Sequence, residues 1–275
     1  MRAVLAAVVV ALFAVSAEVA TGDGGTGPGI LQGGSGVAQG SVRFVAVPAG
    51  RATILEAVKR DGGIVLRTRS LTGNWGVPVI ALDGQTEGLT RDGGTLVLAA
   101  PSTQALRKVT RFQIVDTQSL VAATLRIKGD FLYDALSPDA RFLYLIERLD
   151  VRAGAYRVRV YDLRKGKLSP RVIADRTSWE TEMRGLPVTR VTSRDGSWAY
   201  TLYGGADRPF IHALDLRHGI ARCIDMPWRN DPKGLLRYRL RLDGAGRLVV
   251  RGPRGRTLAV VDRSSLRVLS SVANP

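Results

Sequence analysis

The chain has 275 residues, 45% of them hydrophobic, and a mean hydropathy of +0.03, which is enough apolar material for a large core and too much for disorder throughout. Lys and Arg number 40 against 24 Asp and Glu, a formal charge of +16, and this excess is either scattered surface charge or a site for anionic polymer or lipid. One cysteine excludes an intrachain disulfide, and two histidines outside any Cys, His and acid cluster argue against a catalytic zinc.

The first stretch, MRAVLAAVVVALFAVSA, carries Arg2, an apolar run from Ala3 to Ala14, and small residues Val15 and Ala17 at the positions that precede a cleavage site. This is the pattern of an export signal over residues 1–17, and the run is short for a bilayer span. The expected mature chain is secreted or held in the cell envelope, with no membrane span after cleavage. An uncleaved anchor is the alternative. Residues 18–41 are dominated by glycine and are expected to form a flexible leader. Gly33-Gly34-Ser35-Gly36 mimics a nucleophile turn, but no strand precedes it and no amphipathic helix follows.

From residue 42 onward the sequence repeats. The stretch LSPDARFLYLI, residues 136–146, has partners in VPAGRATILEA, TRDGGTLVLAA, SRDGSWAYTLY and LDGAGRLVVRG. Aligned after the turn, Arg51, Gly94, Arg141, Ser197 and Arg247 are spaced by 43, 47, 56 and 50 residues. A second marker, an apolar strand ending in an acid, places Asp116, Asp162, Asp215 and Asp262, with Arg67 at the corresponding place in the first unit. Each acid is expected to start a tight turn by accepting backbone N–H groups ahead of it. Each unit reads as four short strands; in the third these are 131–137, 142–148, 156–162 and 171–174.

Four-stranded units of this period predict an all-β chain, a β-propeller of five four-stranded blades over residues 42–275. The first blade is expected to open on the inner strand VRFVAVPAG. Closure is expected to rest on packing between the first and fifth blades, with an open arc or a second copy of the chain as alternatives. The pattern SPDARFLYLI…VRVYDLRKGKL resembles the YVTN and WD40-like, TolB-type blades of exported bacterial proteins. That resemblance implies the fold and, among other functions, permits a hydrolase or lactonase.

Two long connections stand out, residues 174–187 and 224–236. They are expected on one rim with Trp179, Glu180, Glu182, Arg184, Trp228, Arg229, Asp231 and Lys233. Trp beside Arg and carboxylates suits a protein surface or a glycan; otherwise Trp179 and Trp228 fold back over the blade junction. The innermost strand of the last unit alternates Arg237, Arg239 and Arg241, which either line a basic channel for carboxylate or phosphate or pair with acids of the next blade. Neither Cys223 nor the pair His212 and His218 forms a recognisable catalytic constellation. The expected function is a non-enzymatic binding or scaffold module without cofactor or metal. Its partner is a protein or glycan at the loop face, or an anionic polymer or lipid; nucleic acid is not expected.

Overall fold

The computed structural model describes residues 29–175, 181–205 and 207–272. The chain is a β-propeller whose regular structure is almost entirely strand, with five successive antiparallel sheets. In each, the chain runs from the innermost strand to the outermost before crossing to the next sheet.

The first sheet holds Val37–Gln39, Val42–Ala49, Ala52–Lys59 and Val65–Thr72. The second holds Thr95–Ala99, Val109–Asp116 and Ala122–Lys128, and the isolated bridge Leu89–Leu96 stands where a fourth, innermost strand was expected. The third has Phe131–Leu136, Phe142–Asp150, Ala155–Asp162 and Lys167–Ile173, with Met183–Arg184 added beside the third of these. The fourth has Leu186–Thr192, Trp198–Gly204, Pro209–Asp215 and Ile220–Asp225. The fifth has Arg239–Leu242, Leu248–Arg251, Thr257–Asp262 and Arg267–Ser271.

The turn that marks the repeat is a local hydrogen-bond device. In the third sheet Ser137 Oγ donates to Asp139 at 2.7 Å and accepts from the N–H of Phe142 at 2.8 Å. Ser193 and Asp195 repeat this in the fourth sheet, and Thr90 and Asp92 in the second. The two hydroxyls of Ser193 and Ser197 hold the Asp195 carboxyl down at about 2. At the end of the third strand, Asp116, Asp162, Asp215 and Asp262 each accept backbone N–H groups two or three residues ahead, as expected.

The first sheet is shifted relative to the sequence alignment. VRFVAVPAG is its second strand, not its innermost one, and the turn at Gly50-Arg51 joins the second strand to the third. Ser41, rather than Arg51, is the counterpart of Gly94, Arg141 and Ser197. Its carbonyl accepts from the N–H of Arg60, as those residues accept from Thr117, Leu163 and Leu216. The acid position is therefore taken by Lys59, the register partner of Val42, while Arg67 lies on the outermost strand. The glycine-rich stretch consequently reaches into the fold. Ile30–Leu31 pairs with Val77–Pro78, and Val37–Gln39 is the innermost strand of the first sheet. Gly36 allows this: its φ is +59°, and a Cβ there would stand 2.0 Å from the carbonyl oxygen of Phe44. Residues 1–28, which contain the expected signal, lie outside the described residues.

Four apolar clusters join consecutive sheets. Phe44, Leu55, Trp75, Leu96 and Val115 lie between the first and second, and Phe112, Phe131, Leu143 and Leu145 between the second and third. Tyr144, Val158, Leu214 and Ala221 lie between the third and fourth, and Tyr200, Leu202, Ile211, Leu248 and Val250 between the fourth and fifth. Each sheet thus hides its neighbour's apolar face, which one four-stranded sheet cannot do alone. Among the described residues no such cluster joins the first sheet to the fifth.

Candidate functional site

Antiparallel order puts the connections between second and third strands at the same end of the molecule as the crossings from sheet to sheet. Both long connections belong to that end. The first returns through Met183–Arg184, which pairs with the start of the third sheet's third strand at Tyr156 and Ala155. It then passes Gly185, whose φ is +135° and where a Cβ would stand 2.6 Å from the carbonyl oxygen of Gly204. On the other side of the same corner Asn230 Nδ2 donates to the carbonyl oxygen of Gly205 at 2.8 Å, and its N–H donates to that of Asp207. Gly204 and Gly205 thus bring the two connections together, because no side chain stands between them. Glu182, Arg184, Arg229 and Asp231 are exposed there, and Lys233 falls in the one-turn helix Pro232–Leu235. Trp179 and Glu180 lie outside the described residues.

Trp228 is not a rim residue. It is 2% exposed and packs edge-on to Tyr238 at 6.5 Å, in the cluster between the fourth and fifth sheets. The reason is its company: Met226, Leu235 and Tyr238 on the same connection are buried as well, so the loop folds over the junction and takes Trp228 inside.

The expected arginine alternation is partly present. The strand begins at Arg239, so Arg237 belongs to the preceding turn. Tyr238 and Leu240 enter the apolar cluster, which leaves Arg239 and Arg241 on the opposite face. Arg239 stands directly opposite Arg251 on the next strand. Arg239 Nη1 donates to the carbonyl oxygens of Leu236 and Tyr238, and Arg251 Nη1 to Gly255 O and Thr257 Oγ1. Among the described residues no carboxylate pairs with Arg237, Arg239, Arg241 or Arg251, so the expected pairing with acids of a neighbouring blade is not formed there.

The interior holds charges that the repeat pattern conceals. Arg190, on the innermost strand of the fourth sheet, donates to the Asp134 carboxylate and carbonyl, to Thr201 Oγ1 at 2.7 Å, and to Glu87 at 3.4 Å. Glu87 also accepts from Thr192 at 2.8 Å. Asp134 is the extra residue of a β-bulge, which turns its side chain toward Arg190. Although burial opposes the charge, Asp134 and then Glu87 raise the Arg190 pKa and keep it protonated; burial pushes Glu87 up. The inner segments of the second, third and fourth sheets therefore meet at one ion network. A second buried ion group, Arg107 and Arg148 on Asp130 at 2.7 and 2.8 Å, ties the second sheet's loop to the third sheet.

His212 and Cys223 are register partners, with the ring Nδ1 and sulfur 4.0 Å apart. Sequence spacing does not reveal this pair, but its chemistry is quiet. Burial lowers the imidazole to about 4 and raises the thiol to about 12, so both are neutral near pH 7, and no thiolate–imidazolium nucleophile forms. His218 sits at the other end, its Nδ1 2.8 Å from Asp215.

No protein-family model matches the chain, and no curated protein does. Among solved structures it is similar to a prolyl endopeptidase, with 13% identity and a TM-score of 0.49 over 89% of this chain and 36% of that one. It therefore spans about a third of that enzyme's length. It is also similar to the Cps50 (Swd1) β-propeller domain of Myceliophteria thermophila, with 14% identity, a TM-score of 0.48 and coverage of 89% and 71%. The third likeness is to TolB from Acinetobacter baumannii, with 16% identity, a TM-score of 0.39 and coverage of 82% and 56%.

Proposed function

We propose that the chain is an exported, non-enzymatic β-propeller of the YVTN or TolB-like kind, which holds a partner on the end that carries its long connections. The observation that carries this reading is the corner at Gly204 and Gly205, where two connections from different sheets converge and present Glu182, Arg184, Arg229 and Asp231 to solvent. Opposite charges interspersed on an exposed rim select a complementary protein surface. Export is the reading of the apolar N-terminal run.

The test is a pull-down from cell-envelope extract together with a glycan array, comparing the natural chain with a Glu182→Lys, Arg229→Glu variant. Both changed residues are exposed, so the fold is retained. Loss of a specific partner from the variant, with retention by a control Arg171→Glu, supports the rim. Identical capture by all three proteins overturns it.

A second reading has its own observation. The arginines on the far face of the fifth sheet, which no carboxylate meets among the described residues, favour an anionic partner, with salt-sensitive binding.

A further inference from the structure

We propose that Arg239 and Arg251 of the fifth sheet together grip a phosphate group. The proposal deepens the anionic reading of this end of the molecule and commits it to one chemistry.

The two residues are partners in register, so their Cα atoms stand about 5 Å apart and their side chains share a sheet face. Like charges directly opposite each other destabilise a sheet, and here no acid relieves the pair among the described residues. Both side chains are nonetheless held. Each Nη1 is engaged by carbonyl or hydroxyl oxygens of the local turn, which fixes the guanidinium plane. Among the described residues nothing engages either Nη2. Two anchored forks with free donors, on residues that are partners in register, form half of a recognition site.

The missing half has to carry more than one negative charge. A carboxylate brings one charge and two oxygens, enough for a single fork. A phosphate monoester brings about −1.5 to −2 and three acceptor oxygens, so it can lie between two forks and accept from both. The surroundings are basic on balance, with Asp231 on the incoming connection as the opposing charge. Arg254 stands on the turn that Arg251 anchors, with a left-handed φ of 56°, and exposed Arg229 and Arg237 lie on the connection that leads into the same sheet.

The experiment is a calorimetric titration of the full chain at low salt with inorganic phosphate, acetate and long-chain polyphosphate. It is repeated on Arg239→Gln, Arg251→Gln and the control Arg171→Gln, each first checked for a cooperative thermal transition with a midpoint no lower than that of the natural chain. Saturable binding of inorganic phosphate, weakened about tenfold or more by either of the first two substitutions and untouched by the control, is the expected result. Binding of polyphosphate alone, with the same dependence on both arginines, keeps the site and assigns its source to a polymer. The proposal fails if phosphate binds no better than acetate, if the two variants bind as the control does, or if neither phosphate probe binds. Failure here leaves the protein-capturing rim standing, because Glu182 and Arg229 are not members of the pair and their test uses a different readout.

Discussion

The two faces of the fifth sheet are built from opposite chemistry. The face toward the fourth sheet contributes Leu240, Leu248, Val250, Ala259 and Val261 to the largest apolar cluster among the described residues, together with Trp228 and Tyr238 from the incoming connection. The other face carries Arg239, Arg241, Val249 and Arg251. The first sheet has a matching split. Phe44, Ala46, Leu55 and Ala57 face the second sheet, while Arg43, Val45, Glu56 and Val58 point the other way. Val45, Val58 and Val249 are 6%, 3% and 4% exposed, yet none belongs to any of the four clusters, and the Nε of Arg43 is buried without a hydrogen-bond partner. The two faces left over are those across which a ring of five sheets has to close. Consecutive sheets adhere through wide apolar contact, whereas the end faces of the first and last offer only a few valines among charged side chains, Arg43 and Glu56 on one and Arg239, Arg241 and Arg251 on the other. These two faces are the seam across which closure is expected, and adhesion there is weaker than between consecutive sheets.

The sharpest test of that contrast is Trp228→Ala. It empties the wide junction and is expected to cost about 3–5 kcal/mol, read as a lowered urea midpoint with an unchanged slope. A loss under about 1 kcal/mol would mean that the connection, rather than the junction, holds the tryptophan.

Acid offers a way to weaken a different wide junction. His212 lies on the face of the fourth sheet turned toward the third, its ring 6.3 Å from that of Tyr203, which stacks on Tyr156 at 5.8 Å. Burial holds the ring neutral, with a pKa of about 4 against 6.5 in the unfolded chain. The unfolded state therefore binds the proton first, and the stability is fully present above pH 6.5 and lost as pH falls toward 4. The expected loss is about 3 kcal/mol. Urea midpoints measured at pH 7 and pH 4.5 should show it, and His212→Leu should flatten it. An equally steep pH dependence in that variant would assign the effect to other groups.

These contrasts also show where the sequence is informative. The period, the Ser/Thr-x-Asp turns and the acids that close the third strand of the last four sheets are properties of contiguous residues, and all of them are legible in the chain. In the first sheet VPAGRAT looks like the repeat turn although it closes a different hairpin, between the second and third strands. The innermost strand, Val37–Gln39, is three residues long and set among glycines, so composition points to a leader. For Trp228 the sequence leaves rim and junction both open: its polar neighbours Arg229, Asn230 and Asp231 favour the rim, and Met226 before it and Leu235 and Tyr238 after it decide its burial. The ion network does have a signal in the sequence: Glu87, Asp134 and Arg190 are each a lone charge in the innermost segment of successive units. The partnership of His212 with Cys223 had none, since it depends on register across a hairpin.

Within the seam itself, Val249→Ala removes two methyl groups from a covered position and is expected to cost about 2 kcal/mol, less than Trp228→Ala. Equal costs at the two sites would show that both faces of the sheet carry the same load.

The smallest effect has the opposite sign. If Arg239 and Arg251 repel each other without an acid between them, Arg239→Gln should raise stability by about 0.5 kcal/mol at low salt. The gain should vanish at about 1 M salt, where the screening length falls to about 3 Å, shorter than the spacing of the pair. A gain that persists in salt would come from the helix-side turn, where Arg239 donates to the carbonyls of Leu236 and Tyr238, and not from charge. Adding inorganic phosphate should stabilise the natural chain and leave the glutamine variant unmoved, because a ligand stabilises only the protein that binds it. The seam would then be a place where stability is given up to keep two cations side by side, and the salt dependence of a single melting temperature is enough to show it.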